Sequence, residues 1–444
     1  MLYSNRDLKK LIIPLIVEQV LAIAVGMADT IMVSAAGEAA VSGVSLVDTV
    51  NILLINIFSA LATGGAVVAG HFLGKKKRED ACRTAWQILE FATLLALLIS
   101  ALFIIAHNSL LRLMFGKIER EVMQASRTYL IITAFSFVAL AVYNSCAALF
   151  RAMNGAKVTM WVSLLMNGIN VIGNAVCIYG LHMGVAGVAI PTTVSRYVAA
   201  AVIFSLMFRK ENEIHLCGQL RLGFDKQLIK KILYIAVPNG LENSMFQMGK
   251  ILVISAVSTM GTAAIAANAV ANTLASWNIL PGVAMNLAIV SVVSVCVGAG
   301  EYGQARYYTK KLCLLAEAGM VLISVVLFFS VPYIARLYHL GPEAYGMTVE
   351  VMRFHAVLAV FLWVCSFSIP NTLRAAGDVV LPMGIAIISM WLFRVVAAYV
   401  FTYVFHIGLL GIWVAMIIDW GFRAVCYLLR YRGHKWEMFG NRTE

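Results

Sequence analysis

The stretch Leu11-Ile-Ile-Pro14-Leu-Ile-Val-Glu18-Gln-Val-Leu-Ala-Ile-Ala-Val-Gly26-Met-Ala-Asp29-Thr30-Ile-Met-Val-Ser34 is long and apolar enough to cross a bilayer, yet it contains two carboxylates. A carboxylate at the centre of a spanning helix costs about 2.5 to 3.5 kcal/mol on insertion scales, so such groups persist where they face protein interior or water. Glu18 and Asp29 are eleven residues apart. That is about three helical turns and places them on nearly the same face. The first helix therefore directs two titratable groups at a common interior, and the rest of the chain is read as the vessel around them.

The wider composition agrees. Of 444 residues, 61% are hydrophobic and only 13% charged, where a soluble domain carries about 25% charged residues. So little polar surface cannot cover a water-soluble globule, which predicts an all-α polytopic membrane protein. The eight cysteines form no CxxC pair and no metal-type spacing, so free thiols and no disulfide framework are expected. Arg6, Lys9 and Lys10 lead directly into a full-length apolar span, which predicts a retained first helix and no cleaved leader.

Hydropathy predicts twelve spans, at 11–34, 45–70, 84–106, 126–150, 157–180, 184–208, 229–258, 268–298, 311–332, 350–372, 380–403 and 407–430. Basic residues crowd the N-terminus, every second connection and the C-terminal segment, including Lys75, Lys76, Lys77, Arg78, Arg209, Lys210, Arg221, Lys310, Lys311, Arg430 and Arg442. The opposite connections hold Arg112, Lys117, Arg120, Arg127 and Arg336. The positive-inside rule then predicts a multi-pass protein of the inner (plasma) membrane with both termini cytoplasmic. The net charge of +12 marks loop orientation, and no nucleic-acid partner is expected. The longest hydrophilic connection divides the chain into an N-lobe at 1–208, a cytoplasmic linker at 209–228, a C-lobe at 229–430 and a cytoplasmic tail at 431–444.

Sliding the chain along itself until Pro14 meets Pro238 brings the two halves into register. At that offset Glu18 meets Glu242, and Val33-Ser34 meets Val257-Ser258. Gly37, Thr49, Gly74, Ala81, Gly184 and Gly187 meet Gly261, Thr273, Gly298, Ala305, Gly408 and Gly411. Phe150-Arg151-Ala152 and Leu373-Arg374-Ala375 pair with a slip of one residue. Each half has an even number of spans, so the two six-helix lobes are expected to be related by a pseudo-two-fold along the membrane normal, with substrate between them.

Asp29-Thr30-Ile-Met-Val, Gly37-Glu-Ala-Ala, the Gly74-Lys-Lys-Lys-Arg turn and the two Arg-Ala turns resemble the multidrug and toxic compound extrusion (MATE) family, over essentially the whole chain. The resemblance implies a secondary transporter that exports organic cations or other amphiphiles in exchange for protons or sodium. It also implies a cation-coupling site. Asp29 matches the family's acid of the first span, Asn170 the Asn of the fifth and Thr192 the Thr of the sixth. The family's second acid, one turn after the Asn, is Asn174 here. Loss of that carboxylate weakens a sodium site, which wants several oxygen ligands with negative charge nearby, whereas proton binding needs only Asp29.

The remaining intramembrane charges carry more than one reading. Glu18 and Glu242 form either a pair facing substrate or two matching bonds to backbone broken near Pro14 and Pro238. Lys250, where the first half has Gly26, is placed to neutralise Glu242 or another carboxylate. Met245, Phe246 and Met248 flank Glu242 as soft pocket side chains, and Trp277 offers a ring to an organic cation. Asp419 and Arg423 are spaced to pair with each other, and Arg394, in the position of Asn170, bars the same cation site from the second half. Arg196, Arg353, Glu90 and Glu317 read as structural or interfacial, and Asp48 as lying near the outer end of the second span.

These observations favour a cation-coupled antiporter that works as a monomer on small organic molecules, contacts membrane lipid, and needs no cofactor or metal beyond the coupling H⁺ or Na⁺. A lipid or lipid-linked oligosaccharide flippase ranks second, because the few intramembrane bases (Arg196, Lys250, Arg394) read as offset by acids. A membrane-embedded enzyme ranks third, since no GxxxxGK[ST], HExxH or Ser-His-Asp arrangement is present.

Overall fold

The structure, a computed structural model, describes residues 2–116, 119–216 and 223–443, the side chains of 440–443 excepted. Lys117, Cys217, Arg221 and part of the expected 209–228 linker lie outside the described residues, as does the Arg442 side chain. Among the described residues the regular structure is helical throughout.

The helices fall into two units of six span-length elements. The first set is Asn5–Ser34, Glu38–Gly74, Arg78–Ile105, the pair Arg120–Phe135 and Phe137–Ala152, Ala156–Gly180, and Ala186–Leu206. The second is Lys226–Ser258, Thr262–Gly298, Tyr302–Leu337, Pro342–Ala375, Val380–Tyr403 and Leu409–Arg432. Ten of these are long and apolar enough to cross a membrane, and the bent pair makes eleven. Lys226–Ser258 is the twelfth expected span. It has 33 residues, but Asn239, Glu242, Asn243, Gln247 and Lys250 dilute its apolar character.

The fourth span departs from a straight helix, bending by 48° at Ser136. Ser136 turns its amide to the Thr133 carbonyl at 2.9 Å and its hydroxyl to the same oxygen at 2.6 Å. Arg196 donates to that hydroxyl at 2.7 Å. A side chain inserted into the helical ladder is an ordinary cause of such a kink.

The repeat seen in the sequence is present in the backbone of each unit. Glu38–Gly74 and Thr262–Gly298 have the same length, 37 residues, and both their ends match at the offset that carries Pro14 to Pro238. Gly37 and Gly261 enter them at φ 99° and 95°, and His182 and His406 hold φ 51° and 50° before the sixth spans. The left-handed region is unfavourable for a side-chain-bearing residue, so the matched histidines mark one turn built twice. Each fifth span also contains a π-helical stretch, Val176–Gly180 in one half and Met390–Val396 in the other.

Small residues set the packing. A Cβ added to Gly65 would lie 2.6 Å from Ile88 Cγ1, and one added to Gly64 would lie 2.7 Å from the Ile232 carbonyl. Backbones approach closely at such positions, as in other membrane helix pairs. The Gly64 contact also explains where the chain divides. The compact units are Tyr3–Gly240 and Leu241–Glu444, the latter taking in Leu2. The division falls inside Lys226–Ser258, beyond the connection at which the sequence pattern breaks, because the first turns of that helix pack on Glu38–Gly74.

The described part of the connection docks on the start of Arg78–Ile105. Arg78 donates to the carbonyls of Glu213 at 2.8 Å, Lys210 at 3.0 Å and Asn212. Ile214 and Leu216 are buried. Gln87 donates to the Gly223 carbonyl at 2.9 Å and accepts from the Asp225 amide at 2.7 Å, and Arg83 pairs with Asp225 at 2.9 Å. The C-terminal segment folds back on its own unit. Trp436 is fully buried, stacks on Tyr431 at 5.6 Å, and donates to the Tyr431 carbonyl at 3.0 Å.

Candidate functional site

Within the N-terminal unit, three helices bring the expected coupling residues into one hydrogen-bonded chain. Asn174 Nδ2 donates to Asp29 Oδ1 at 2.9 Å and to Asn170 Oδ1 at 3.3 Å. Asn170 Nδ2 donates to Thr192 Oγ1 at 3.0 Å, and Thr192 donates to the Val188 carbonyl at 2.8 Å. The i, i+4 spacing stacks the two amides on one face of the fifth span. Pro191 packs tightly on Gly173, so the fifth and sixth spans meet closely beside the site. Asn174 is fully buried and its Oδ1 has no partner.

A second acid stands close by. Asp48 accepts from Tyr129 at 3.1 Å and from Asn51 at 3.2 Å. Arg196 lies within electrostatic range of both Asp48 and Asp29. Asp48, expected near the outer end of the second span, and Arg196, expected to be structural or interfacial, thus stand with Tyr129 beside the Asp29 cluster. Asp48 and Asn51 at i, i+3 were a legible signal, whereas nothing in the sequence tied Tyr129 to them.

Glu18 and Glu242 have the same kind of partner in each unit, and it is an arginine, not the broken backbone. Arg151 faces Glu18 at 3.6 Å, and Thr159 donates to Glu18 at 3.0 Å. Arg374 pairs with Glu242 at 2.5 Å and is steadied by Asn371 at 2.9 Å. The Pro-x-x-x-Glu of the first and seventh spans and the two Arg-Ala turns are thus halves of one duplicated ion pair. Lys250 does not neutralise Glu242, which Arg374 already holds.

The C-terminal unit contains a cavity of about 430 Å³ lined by Lys250, Arg394, Asn268, Asn272 and Trp413, with Ile254, Val257 and Ile412 among its apolar wall. Asp419 is fully buried and serves two bases. Arg423 binds it at 2.8 Å, as the spacing predicts, while Arg394 stands 3.7 Å away. Arg394 Nε has no partner. No carboxylate among the described residues pairs with Lys250, whose Nζ lies 5.6 Å from the Phe246 ring centre. Arg394 and Arg423 approach the same ring to 5.2 Å and 5.6 Å. The expected offset of the intramembrane bases by acids therefore fails here, with three cations against one acid. Met245 and Trp277 are half-buried and do not line this cavity.

The MatE family profile matches residues 14–176 and, again, residues 238–400. The chain belongs to the MatE family of transporters. The two matches correspond start to start and end to end at the offset that carries Pro14 to Pro238, so the family unit is the repeat itself. A Thermotoga maritima protein named as a probable multidrug resistance protein, NorM, is 26% identical over 98% of this chain and 93% of its own length. The uncharacterized transporter YisQ of Bacillus subtilis is 26% identical over 95% and 93%.

Solved structures share the fold. An outward-facing multidrug resistance MATE transporter superposes with a TM-score of 0.89 at 20% identity, over 99% of this chain and 97% of its own. A MOP superfamily transporter from Pyrococcus furiosus, described as having a binding pocket of reversed polarity that suggests a different function, gives 0.89 at 21% identity over 96% and 95%. In this MatE protein, then, the two-lobe fold, the repeat and the Asp29 cluster stand together. The acids of the cluster are on the first repeat, and the bases around the cavity are on the second.

Proposed function

We propose that this protein is a secondary active exporter of amphiphilic organic compounds, driven by cations that enter through the N-terminal unit, with H⁺ rather than Na⁺ as the coupling ion. The observation that carries the choice of ion is that the Asp29–Asn174–Asn170–Thr192 chain holds a single carboxylate, with an amide at Asn174. The amide nitrogen of Asn174 faces the carboxylate, and Asn170 Oδ1 is occupied by the same nitrogen. A sodium ion wants converging oxygens. Here that hydrogen-bonded chain supplies one negative charge, and its other oxygens belong to neutral amides and a hydroxyl. A proton needs only the carboxylate.

The mechanism follows from the same contacts. Ionised Asp29 accepts from Asn174 and ties the first span to the fifth. A proton on Asp29 removes the charge that this donor serves. The unpartnered Asn174 Oδ1 is an acceptor for the new O–H, which the amide reaches by turning over. Charge change at one residue shifts a two-state protein only as far as the states differ in affinity for the proton. The Asn174–Asn170–Thr192 chain, which links the fifth and sixth spans, gives that difference a structural basis. The basic connections support placement in the inner membrane with both termini cytoplasmic.

The test uses proteoliposomes loaded with one cationic and one anionic fluorescent amphiphile, under a proton gradient alone and a sodium gradient alone. Transport of either probe is expected under the proton gradient and lost in Asp29→Asn. Transport under sodium alone, or undiminished transport by Asp29→Asn, overturns the reading. The flippase reading is favoured by one observation, the excess of bases at the C-terminal cavity.

A further inference from the structure

The C-terminal cavity is the repeat counterpart of the Asp29 cluster. At the offset that relates the halves, Asp29 becomes Val253, Asp48 becomes Asn272, Asn170 becomes Arg394, Thr192 becomes Met416 and Gly26 becomes Lys250. All five of these second-half residues line the cavity. The family duplication has thus produced one acidic and one basic copy of the same site. Both carboxylates have been replaced, and two cations have been added.

We infer that this cavity binds the anionic headgroup of an amphiphile, a carboxylate or phosphate carried on an apolar chain, with Lys250 and Arg394 as its ligands. Arg394 stays charged at any physiological pH and has an unpartnered Nε. Its share of Asp419 is the long one, at 3.7 Å against 2.8 Å for Arg423. Among the described residues Lys250 makes no ion pair, has Arg394 as a like-charged neighbour, and stands 5.6 Å from the Phe246 ring centre. Lys250, exposed and without an ion pair among the described residues, and Arg394, with only the longer share of Asp419, are like charges at one cavity, and an anion between them lowers their repulsion. Asn268 and Asn272 add polar groups, and Ile254, Val257, Ile265 and Ile412 give an apolar wall. About 430 Å³ falls within the range of small-molecule pockets. Binding itself needs no gradient. As a substrate subsite, the cavity rests on the exporter reading.

The experiment is equilibrium binding to the full-length protein in a neutral detergent. The probes are dansyl-undecanoic acid, a dansyl-labelled alkyl phosphate and a dansyl-labelled alkylammonium of matched length. The anionic probes are expected to bind and the ammonium probe to bind more weakly at this site. Lys250→Gln should weaken anion binding about tenfold, or about 1.4 kcal/mol, and Lys250→Arg should retain it. Lys250 makes no ion pair among the described residues, so Lys250→Gln is expected to melt as the wild type does, which separates lost binding from lost folding. Displacement by phosphatidylglycerol identifies the bilayer as the source of the ligand. Binding that phosphatidylglycerol does not displace identifies a free organic acid or phosphate, and either sustains the proposal. Equal anion affinity in Lys250→Gln, tighter binding of the ammonium probe, or equal displacement by inorganic phosphate without a chain overturns it. Loss of the exporter reading would appear instead as gradient-independent behaviour in liposomes, with this binding intact.

Discussion

Arg374 lies 2.5 Å from Glu242, and the pair sits where two sequence motifs 132 residues apart meet. Both side chains are largely buried, at 11% and 13% exposure. Removing one member of such a pair leaves an uncompensated charge and costs about 3 to 5 kcal/mol. Glu242→Gln is therefore expected to lower the melting temperature of the detergent-solubilised protein markedly. Glu18→Gln is expected to lower it less, because its Arg151 stands at 3.6 Å and Thr159 still has an acceptor. A Glu242→Gln protein that melts normally but changes substrate preference would return Glu242 to the substrate site.

Asp29→Asn keeps the size and hydrogen-bonding capacity of the side chain while fixing its charge at zero. Asn174 can still donate to the new carbonyl oxygen, so the fold is expected to persist with an unchanged melting temperature. Gradient-driven transport is expected to fall to the level of empty liposomes. Asp48→Asn is expected to have a smaller effect, since Tyr129 and Asn51 hold Asp48 from two sides. Equal loss in both variants would make the two acids a single coupled site.

How much of this was visible beforehand depends on the range of the interaction. The offset between the halves was legible from Pro14, Glu18 and Gly37 with their partners, because a repeat preserves spacing along the chain. Asp29, Asn170, Asn174 and Thr192 were legible through resemblance, and the i, i+4 step of the two asparagines is a property of one helix. The partners of Glu18 and Glu242 were not legible. Arg151 and Arg374 each stand three spans further along the chain than the acid they meet, and no periodicity encodes which spans touch. Glu242 is eight residues from Lys250 along the chain, whereas in space Arg374 has taken Glu242. The division after Gly240 was hidden for a similar reason, since hydrophilicity marks where the chain leaves the membrane and not where packing changes.

The missing second carboxylate at the proposed coupling site makes a directed gain of function testable. Asn174→Asp would place an acid where an amide nitrogen now stands 2.9 Å from Asp29. Two carboxylates that close cannot both stay ionised without a cation. The variant is expected to bind sodium, or to take up a proton more tightly, at that pair. In liposomes a sodium gradient alone should begin to drive transport. Measured sodium binding that stays at the wild-type level, together with an unchanged proton dependence, would place the coupling ion elsewhere in the molecule.

The docked connection carries a pH dependence outside the spans, at His215. His215 has its amide on Cys82 Sγ at 3.4 Å, and its pKa is pushed below the ordinary value of 6.5 by burial and by the neighbouring charges of Arg78 and Lys210. The undocked segment therefore binds its proton first as pH falls. Stability rises with pH wherever the unfolded form holds more protons. Docking should be at full strength above 6.5 and weaken as pH drops from there towards the lower docked value, with no further change below it. Limited proteolysis of the purified protein across that window should cut the connection between Arg209 and Leu216 faster at the acid end. In His215→Gln the rate should lose this dependence while Arg78 still caps the carbonyls of Lys210 and Glu213. An unchanged slope in that variant would assign the effect to a group other than His215.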